Sequence, residues 1–203
     1  MASIYDLKPK FQVLLRPVCS TLAKVGITAN QVTLIALFLS AAAGLWLIIQ
    51  PGSKLPLFLL PLVLFVRMAL NAIDGMLARE FDMKSRLGAI LNEMSDVISD
   101  AVLYLPFALH PDLDLWPVVV IVLLSIMNEM IGVVSIQIGG ARRYDGPFGK
   151  SDRAFAFGLL AILLGLGWMN ELTTNIILYL MIALSIVTLL NRGKKALMEI
   201  ATT

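Results

Sequence analysis

The stretch Asn71-Ala-Ile-Asp-Gly-Met-Leu-Ala-Arg79 puts polar side chains into a sequence that is otherwise strongly apolar. Its asparagine and aspartate are three residues apart, so on a helix they share one face. Further along, Asn92, Asp96 and Asp100 follow one another at intervals of four, so they share one face of a second helix. A short polar turn separates the two segments. A helical hairpin would therefore point both polar faces into one cleft.

The composition around this cleft is that of a membrane protein. The chain has 203 residues, of which 59% are hydrophobic, and its mean hydropathy is +0.86. A soluble domain is usually about 45–50% apolar. The formal net charge of +2 gives no reason to expect nucleic acid or another polyanion as a partner. The one cysteine, Cys19, excludes an internal disulfide.

We predict an all-α integral membrane protein with six transmembrane helices preceded by an amphipathic helix. Residues 1–27 combine apolar residues at helical spacing with lysine and arginine, which is typical of a helix lying in the membrane interface. Residues 28–203 form the predicted membrane domain, because their apolar runs approach the length of about 20 residues that crosses a bilayer. The predicted spans are Thr28–Ile49, Leu55–Arg79, Leu87–His110, Trp116–Ile138, Phe155–Met169 and Asn175–Leu190.

The orientation follows from the distribution of basic residues. Fourteen of the 16 lysines and arginines fall in the N-terminal segment, the second-to-third turn, the fourth-to-fifth loop and the C-terminal tail. In a six-span protein all four segments lie on one side, and basic residues favour the cytoplasmic side. We therefore predict that both termini and the polar cleft are cytoplasmic, in a protein of the bacterial inner membrane.

Three charged residues lie deep inside the predicted spans. Arg67, Asp100 and Glu129 are each about 9–13 residues from the cytoplasmic end of their span, or roughly 14–20 Å at 1.5 Å per residue. An unpaired charge at that depth is costly. The sequence therefore predicts that Arg67 pairs with Asp100, with Glu129 or with both, as a structural floor of the cleft.

A second polar segment precedes the fifth span. Lys150 and Arg153 are three residues apart at its mouth and could hold the phosphate of an acceptor or of an anionic lipid. They are equally explained as an interfacial basic loop that follows the positive-inside rule. Both interpretations stay open from the residues alone.

The spacing of the polar hairpin resembles the signature of the CDP-alcohol phosphotransferase family of membrane enzymes. That signature reads Asp, two residues, Asp-Gly, two residues, Ala-Arg, eight residues, Gly, three residues, Asp, three residues, Asp. The sequence differs by having Asn71 and Asn92 at the first and third aspartate positions. Asn30 and Thr33 also resemble the family's Thr-Pro-Asn-x-x-Thr segment, with alanine in place of the proline. The residues that match the main signature are Asp74, Gly75, Ala78, Arg79, Gly88 and Asp96.

The resemblance implies an enzyme of phospholipid biosynthesis. In that family a CDP-linked alcohol binds with its pyrophosphate on divalent metal, an acceptor hydroxyl attacks the distal phosphorus, and CMP leaves. By position, Asp96 is the expected general base, and Asp74 and Asp96 are the expected carboxylate ligands of the metal, with Asn71 and Asn92 beside them. The expected CDP-binding residues are Gly75, Ala78, Arg79, Gly88, Asn30 and Thr33.

The resemblance also implies Mg²⁺ or Mn²⁺ as the cofactor, a CDP-linked lipid or alcohol as the partner, and a homodimer. Asn71 and Asn92 keep a carbonyl oxygen but no charge, so they are weaker metal ligands than aspartate. Asp100 or Glu93 could supply part of the lost charge. We therefore expect fewer ions than the usual two.

Two other functions remain open. The first is a catalytically impaired relative that binds CDP-lipid or assembles with a lipid-synthesis enzyme, which the two asparagines favour. The second is a transporter or proton pathway that uses the buried carboxylates. Measuring CMP release distinguishes the enzyme from both alternatives.

Overall fold

The computed structural model of the chain describes residues 8–201, and the side chains of residues 11–201. The described part is all-helical, with α-helices joined by short turns and one longer loop. The prediction of an all-α protein is confirmed for these residues. The helices are α1 Lys8–Val25, α2 Ala29–Ile49, α3 Lys54–Glu80, α4 Arg86–Tyr104, α5 Leu115–Gln137, α6 Lys150–Leu166 and α7 Glu171–Ala201, with a 3₁₀ segment at Leu105–Leu109.

Four of the six predicted spans are long and apolar enough to cross a membrane. These helices are α2, α3, α5 and α7. The other two predicted spans coincide with α4 and α6, which are helices of 19 and 17 residues. Both are shorter and carry several charged side chains, so they do not reach the same length and apolarity. The apolar helices make the chain an integral membrane protein.

Side-chain hydrogen bonds cap the N-terminal ends of two helices. Before α2, Thr28 and Gln31 form a reciprocal capping box: the Gln31 amide donates to Thr28 Oγ1 at 3.3 Å, and the Thr28 amide donates to Gln31 Oε1 at 2.9 Å. Before α4, Ser85 Oγ accepts from the Gly88 amide at 2.9 Å. These caps fix where α2 and α4 begin, and both helices contribute residues to the cleft.

Three of the predicted spans end at residues other than the ones predicted. The third span does not continue as one α-helix to His110, because Pro106 lacks an amide hydrogen and the chain changes to the 3₁₀ segment after Tyr104. The fifth span ends at Leu166, where Gly167 adopts a left-handed φ of 69°. The sixth predicted span is part of a longer helix, α7, which continues well beyond Leu190 into charged residues.

The two turns predicted to lie opposite the cleft meet in the structure. A Cβ built on Gly52, in the α2–α3 turn, would lie 3.1 Å from Pro111 Cδ, in the α4–α5 turn. Nearby, the ring of Tyr104 stacks on Phe157 with centroids 4.1 Å apart, and Phe107 meets the same ring edge-on at 5.2 Å. This aromatic group closes the apolar core below the polar cleft.

Helix α1 packs along α3. Arg16 pairs with Glu80 at 3.1 Å, and the ring of Phe11 meets that of Phe65 at 5.9 Å. Cys19 is fully buried between the two helices, with its Sγ 3.9 Å from the carbonyl oxygen of Ile73. The first seven residues of the predicted juxtamembrane segment 1–27 lie outside the described residues. The contacts with α3 hold α1 beside the helix that carries the first half of the motif.

Candidate active site

The two halves of the motif meet across α3 and α4. Asn71 and Asp74 lie on α3, while Asn92 and Asp96 lie on α4. The side-chain amide of Asn71 donates from Nδ2 to Asp96 Oδ1 at 3.1 Å. The predicted hairpin with facing polar stripes is therefore present, and Asn92 lies half-buried one turn before Asp96.

Helix α2 completes the wall around Asp74. This carboxylate is only 4% exposed, and its Oδ2 accepts a hydrogen bond of 2.8 Å from Thr33 Oγ1. A Cβ built on Gly88 would lie 2.7 Å from Asn30 Oδ1, so the glycine lets the start of α4 approach α2 closely. Asn30 and Thr33, which match the family's Thr-Pro-Asn-x-x-Thr segment, thus border both halves of the motif.

The other predicted CDP-binding residues lie on the C-terminal part of α3. Arg79 is exposed, and its guanidinium folds back toward Gly75, with Nη2 3.1 Å from the position of a Cβ on that glycine. Ala78 is half-buried and packs against the cluster that contains Cys19 and Leu77. Arg79 is therefore free to turn toward a phosphate, to which a guanidinium can donate two parallel hydrogen bonds.

Asp96 is held by cations and donors from two helices, α3 and α6. The ammonium of Lys150, the first residue of α6, bonds to Asp96 Oδ1, the same oxygen that accepts from Asn71. Arg67 Nη2 donates to the backbone carbonyl of Asp96 at 3.1 Å and lies 3.9 Å from its Oδ1. Lys150 is therefore part of the motif's own cleft and not of a separate loop site.

A buried ion-pair network lies beneath Asp96. Arg67 Nη1 donates to Asp100 Oδ1 at 2.6 Å, and both side chains are buried. The predicted pairing of Arg67 with Asp100 is confirmed. Its pairing with Glu129 is not observed, because that carboxylate is surrounded by Arg153 at 3.0 Å, Arg142 at 3.2 Å and Arg192 at 3.5 Å.

The network changes the interpretation of Arg153. The sequence suggested an open position at the mouth of the fifth span, but Arg153 is fully buried. Its Nε and Nη2 donate to Asp100 Oδ2 at 3.1 and 2.8 Å, and Nη2 also donates to Glu129. Only its Nη1 lacks a hydrogen-bond partner. Arg153 thus joins the floor of the cleft, with one buried nitrogen left without a hydrogen-bond partner.

Two suggested metal ligands are engaged elsewhere. Both oxygens of Glu93 accept from Arg142, at 2.7 and 2.6 Å, and Asp100 lies between two arginines. Burial opposes the charge on Arg142, but hydrogen bonds and the charge of Glu93 outweigh it, so the pKa of Arg142 lies above its ordinary value. A carboxylate held in this way does not supply the charge missing at Asn71 and Asn92.

The roles of Arg142 and Arg192 were missed from the sequence. Each lies far from the motif along the chain, in the α5–α6 loop and near the end of α7. The available signal was Glu129, a carboxylate inside a span that required a cationic partner. The sequence predicts Arg67 as that partner because it is the one basic residue deep inside a predicted span.

Comparison with known proteins identifies the family. The profile of the CDP-alcohol phosphatidyltransferase family matches residues 26–190. The chain belongs to the CDP-alcohol phosphatidyltransferase family. It is accordingly a phospholipid-synthesis enzyme that transfers a substituted phosphate group from a CDP-linked alcohol, as the signature in α3 and α4 indicated.

Two relatives of this phosphatidyltransferase span most or all of the chain. The inner membrane protein YnbA of Escherichia coli (strain K12) is 46% identical over 198 residues, covering 97% of each chain. The archaetidylinositol phosphate synthase of Pyrococcus horikoshii is 30% identical over 145 residues, covering 68% of this chain and 74% of the relative.

Solved structures share the fold. The phosphatidylinositol phosphate synthase of Mycobacterium tuberculosis with CDP-DAG bound has a TM-score of 0.74 and 22% identity, covering 89% of this chain and 92% of that one. The same synthase with manganese and citrate has a TM-score of 0.74 and 21% identity, covering 89% and 87%. The family and this second structure point to the use of a divalent metal ion.

The residues of this phosphatidyltransferase can contribute oxygen ligands to a divalent ion but do not form a complete cage for it. Within residues 11–201, no group of three or more histidine, cysteine, aspartate or glutamate side chains could hold a metal ion. Asp74, the amide carbonyl of Asn71 and the phosphate oxygens of a substrate provide the oxygen ligands that Mg²⁺ or Mn²⁺ takes. The other motif carboxylate, Asp96, already accepts at its Oδ1 from an amide and an ammonium.

Proposed function

We propose that this enzyme transfers a phosphatidyl or similar group from a CDP-linked lipid to an acceptor alcohol that itself carries a phosphate. The observation that carries the proposal is the convergence of three arginines on Glu129, with two of their nitrogens left without a hydrogen-bond partner. Arg142, Arg153 and Arg192 all contact the single carboxylate of Glu129. One nitrogen each of Arg142 and Arg153 is buried without a partner. An acceptor phosphate would satisfy these donors.

The names of the relatives support the same acceptor class. Two of them are described as synthases of a phospholipid phosphate, archaetidylinositol phosphate and phosphatidylinositol phosphate. A phosphorylated inositol is therefore the first acceptor to test. Arg153 keeps a role in acceptor binding in this proposal, with Arg142 and Arg192 added. Lys150, which contacts Asp96, keeps the role of a phosphate-binding residue on the donor side.

In the proposed reaction Asp96 takes the proton of the acceptor hydroxyl. The acceptor oxygen then bonds to the distal phosphorus of the donor, the bond between that phosphorus and the bridging oxygen breaks, and CMP leaves with the bonding electrons. Asp74 would hold one Mg²⁺ or Mn²⁺, with Asn71 and Asn92 as neutral neighbours. That ion, when bound, supplies positive charge to the pyrophosphate. Arg79 is placed to hold a phosphate of the CDP group, while Gly75, Ala78 and Gly88 leave space for it.

The acceptor preference is tested by comparing inositol phosphate with inositol in a CMP-release assay with CDP-diacylglycerol. We expect the phosphorylated acceptor to have the higher kcat/KM. Two charge-assisted hydrogen bonds at about 1.5–3 kcal/mol each would give roughly 100-fold or more. Glycerol phosphate and glycerol form a second matched pair that separates recognition of the phosphate from recognition of the ring. Equal kcat/KM values within both pairs would contradict the phosphate site.

We further propose six spans, with both termini and the cleft on the cytoplasmic side of a bacterial inner membrane. Helix α1 would lie at the interface, residues 28–203 would form one membrane domain, and two chains would form a homodimer. Supporting this, the motif, Lys150 and the basic α5–α6 loop meet at one end of the bundle. At the other end, the α2–α3 turn at Gly52 contacts the α4–α5 turn at Pro111.

A pair of fusions tests the topology. Alkaline phosphatase, which is active only outside the cytoplasm, should be inactive when fused after Thr203, because basic residues retain that end inside. The same reporter fused after Asp112, in the α4–α5 turn, should be active. Activity of the fusion at Thr203 would overturn the six-span topology.

A further inference from the structure

We propose that the ammonium of Lys150 takes the place of one of the two divalent ions for which the family motif provides charge. This inference rests on the proposed function of the cleft. In it, Lys150 is a fixed cation that holds the donor pyrophosphate, and the chain requires a single exchangeable ion.

The first argument is the direction of the donors at Asp96. A carboxylate only accepts hydrogen bonds, so the group of Asn71 that contacts it must be the NH₂ end of the amide. The contact is 3.1 Å from Nδ2 to Oδ1. An aspartate at position 71 would have faced Asp96 with like charge, which a bridging divalent ion can neutralise. The asparagine removes that repulsion without any ion.

The second argument is that Asp96 Oδ1 already has a cationic partner. Lys150 Nζ bonds to the same Oδ1 of Asp96, and the two side chains are only 23% and 17% exposed. A metal ion at this oxygen would have to displace the ammonium and would meet its positive charge at short range in a poorly screened cleft. Ammonium and divalent ion therefore compete for one position.

The third argument is the charge balance. The family signature has four carboxylates, and this chain keeps Asp74 and Asp96. Removing two negative charges lowers the capacity for divalent ions by about one. Lys150 restores a single positive charge at the vacated position, so the site still attracts an anionic pyrophosphate.

Local structure holds the lysine in position. Lys150 is the first residue of α6, and Asp152 accepts from the amide of Gly149 at 2.9 Å, which caps that helix. Three residues later Arg153 is fixed in the buried network. The start of α6 is thereby anchored on both sides of Lys150, which reduces the entropy lost when the ammonium contacts a ligand.

The test counts Mn²⁺ ions in the substrate-free protein by anomalous diffraction and by equilibrium binding. The wild type should bind one Mn²⁺ per chain or fewer. Asn71→Asp with Asn92→Asp should bind a second ion weakly while Lys150 is present. Adding Lys150→Ala to that pair should strengthen the second site by at least about 10-fold, since a like charge at close range is removed. Lys194→Ala, at an exposed lysine of α7, is the matched control and should leave the affinity unchanged.

Activity provides a second readout. In the wild-type background, Lys150→Ala should reduce CMP release by roughly 10²-fold, the loss typical of removing one group that stabilises developing charge. Lys150→Arg should recover little of it, because a planar guanidinium does not replace a compact ammonium. Size-exclusion chromatography and thermal unfolding show whether each variant is folded.

Two full Mn²⁺ sites in the substrate-free wild type would overturn the inference. Equal affinity of the second ion with and without Lys150 in the Asn71→Asp, Asn92→Asp background would overturn it as well. The number of Mn²⁺ sites and the affinity of the second ion are both measured without substrate. A failure of the proposed function, seen as no CMP release from any donor and acceptor, is therefore distinguishable from a failure of this inference.

Discussion

Asp96→Asn should reduce CMP release by about 10²–10⁴-fold, the range that a positioned general base contributes. An asparagine keeps the shape of the side chain and its acceptor oxygen but takes no proton from the acceptor hydroxyl. The residue bonds to Lys150 and Asn71 in the open part of the cleft and is 17% exposed, so the variant should remain folded. The initial rate with saturating CDP-diacylglycerol and inositol phosphate measures the effect.

A comparison with two other aspartates separates the roles. Asp74→Asn should also abolish turnover, but it should lose bound Mn²⁺, whereas Asp96→Asn should retain it. Asp114→Asn, in the exposed turn before α5, is the matched control and should leave both unchanged. Near-normal turnover by Asp96→Asn would show that another group acts as the base.

Asp100→Ala should destabilise the protein by about 3–5 kcal/mol, the usual cost of leaving a buried charge without its partner. Asp100 accepts from Arg67 at 2.6 Å and from Arg153 at 2.8 and 3.1 Å, and all three side chains are buried. Its removal takes from Arg67 and Arg153 the carboxylate that lies nearest to each of them in the buried network. Thermal unfolding in detergent or lipid nanodiscs would measure the loss.

The matched control is Asp112→Ala, because the side chain of Asp112 is 63% exposed at the other end of the bundle. The loss of stability caused by Asp100→Asn should lie between those of Asp112→Ala and Asp100→Ala, since asparagine keeps an acceptor oxygen but loses the charge. If Asp100→Ala unfolds at the wild-type temperature, the buried network does not support the cleft.

Local patterns predicted the first half of the site well. The three- and four-residue spacings of Asn71, Asp74, Asn92 and Asp96 determine which faces these side chains share, and a short turn leaves a hairpin little freedom. The contact between Asn71 and Asp96 is the direct result. The requirement that a charge inside a span finds a partner also predicted the pair Arg67 and Asp100.

The rest of the site depends on packing between distant helices. Arg142 and Arg192 reach Glu129 from a loop and from the last helix, and no spacing in the sequence relates them. For the same reason the sequence does not predict the contact of Lys150 with Asp96. Its helix, α6, begins five residues before the predicted apolar run, which carries the lysine into the cleft.

The helix boundaries show a similar limit. Apolar runs mark where a helix can cross a membrane, but they do not mark where a helix stops. Pro106 ends α4 inside an apolar run, and α7 continues through charged residues because its last turns contact the α5–α6 loop. Composition alone therefore overestimated the length of one span and underestimated that of another.

The central claim is that the α3–α4 cleft transfers a substituted phosphate from a CDP-linked lipid although two of its four motif carboxylates are asparagines. The most direct test incubates the purified protein in lipid vesicles with Mg²⁺ or Mn²⁺, CDP-diacylglycerol and inositol phosphate, and measures CMP and the lipid product together by mass spectrometry. We predict equal amounts of CMP and a new phosphodiester lipid, both absent with Asp96→Asn. Binding of CDP-diacylglycerol without CMP release, across a panel of phosphorylated and free alcohols, would contradict the claim and identify a protein that binds CDP-lipid without turning it over.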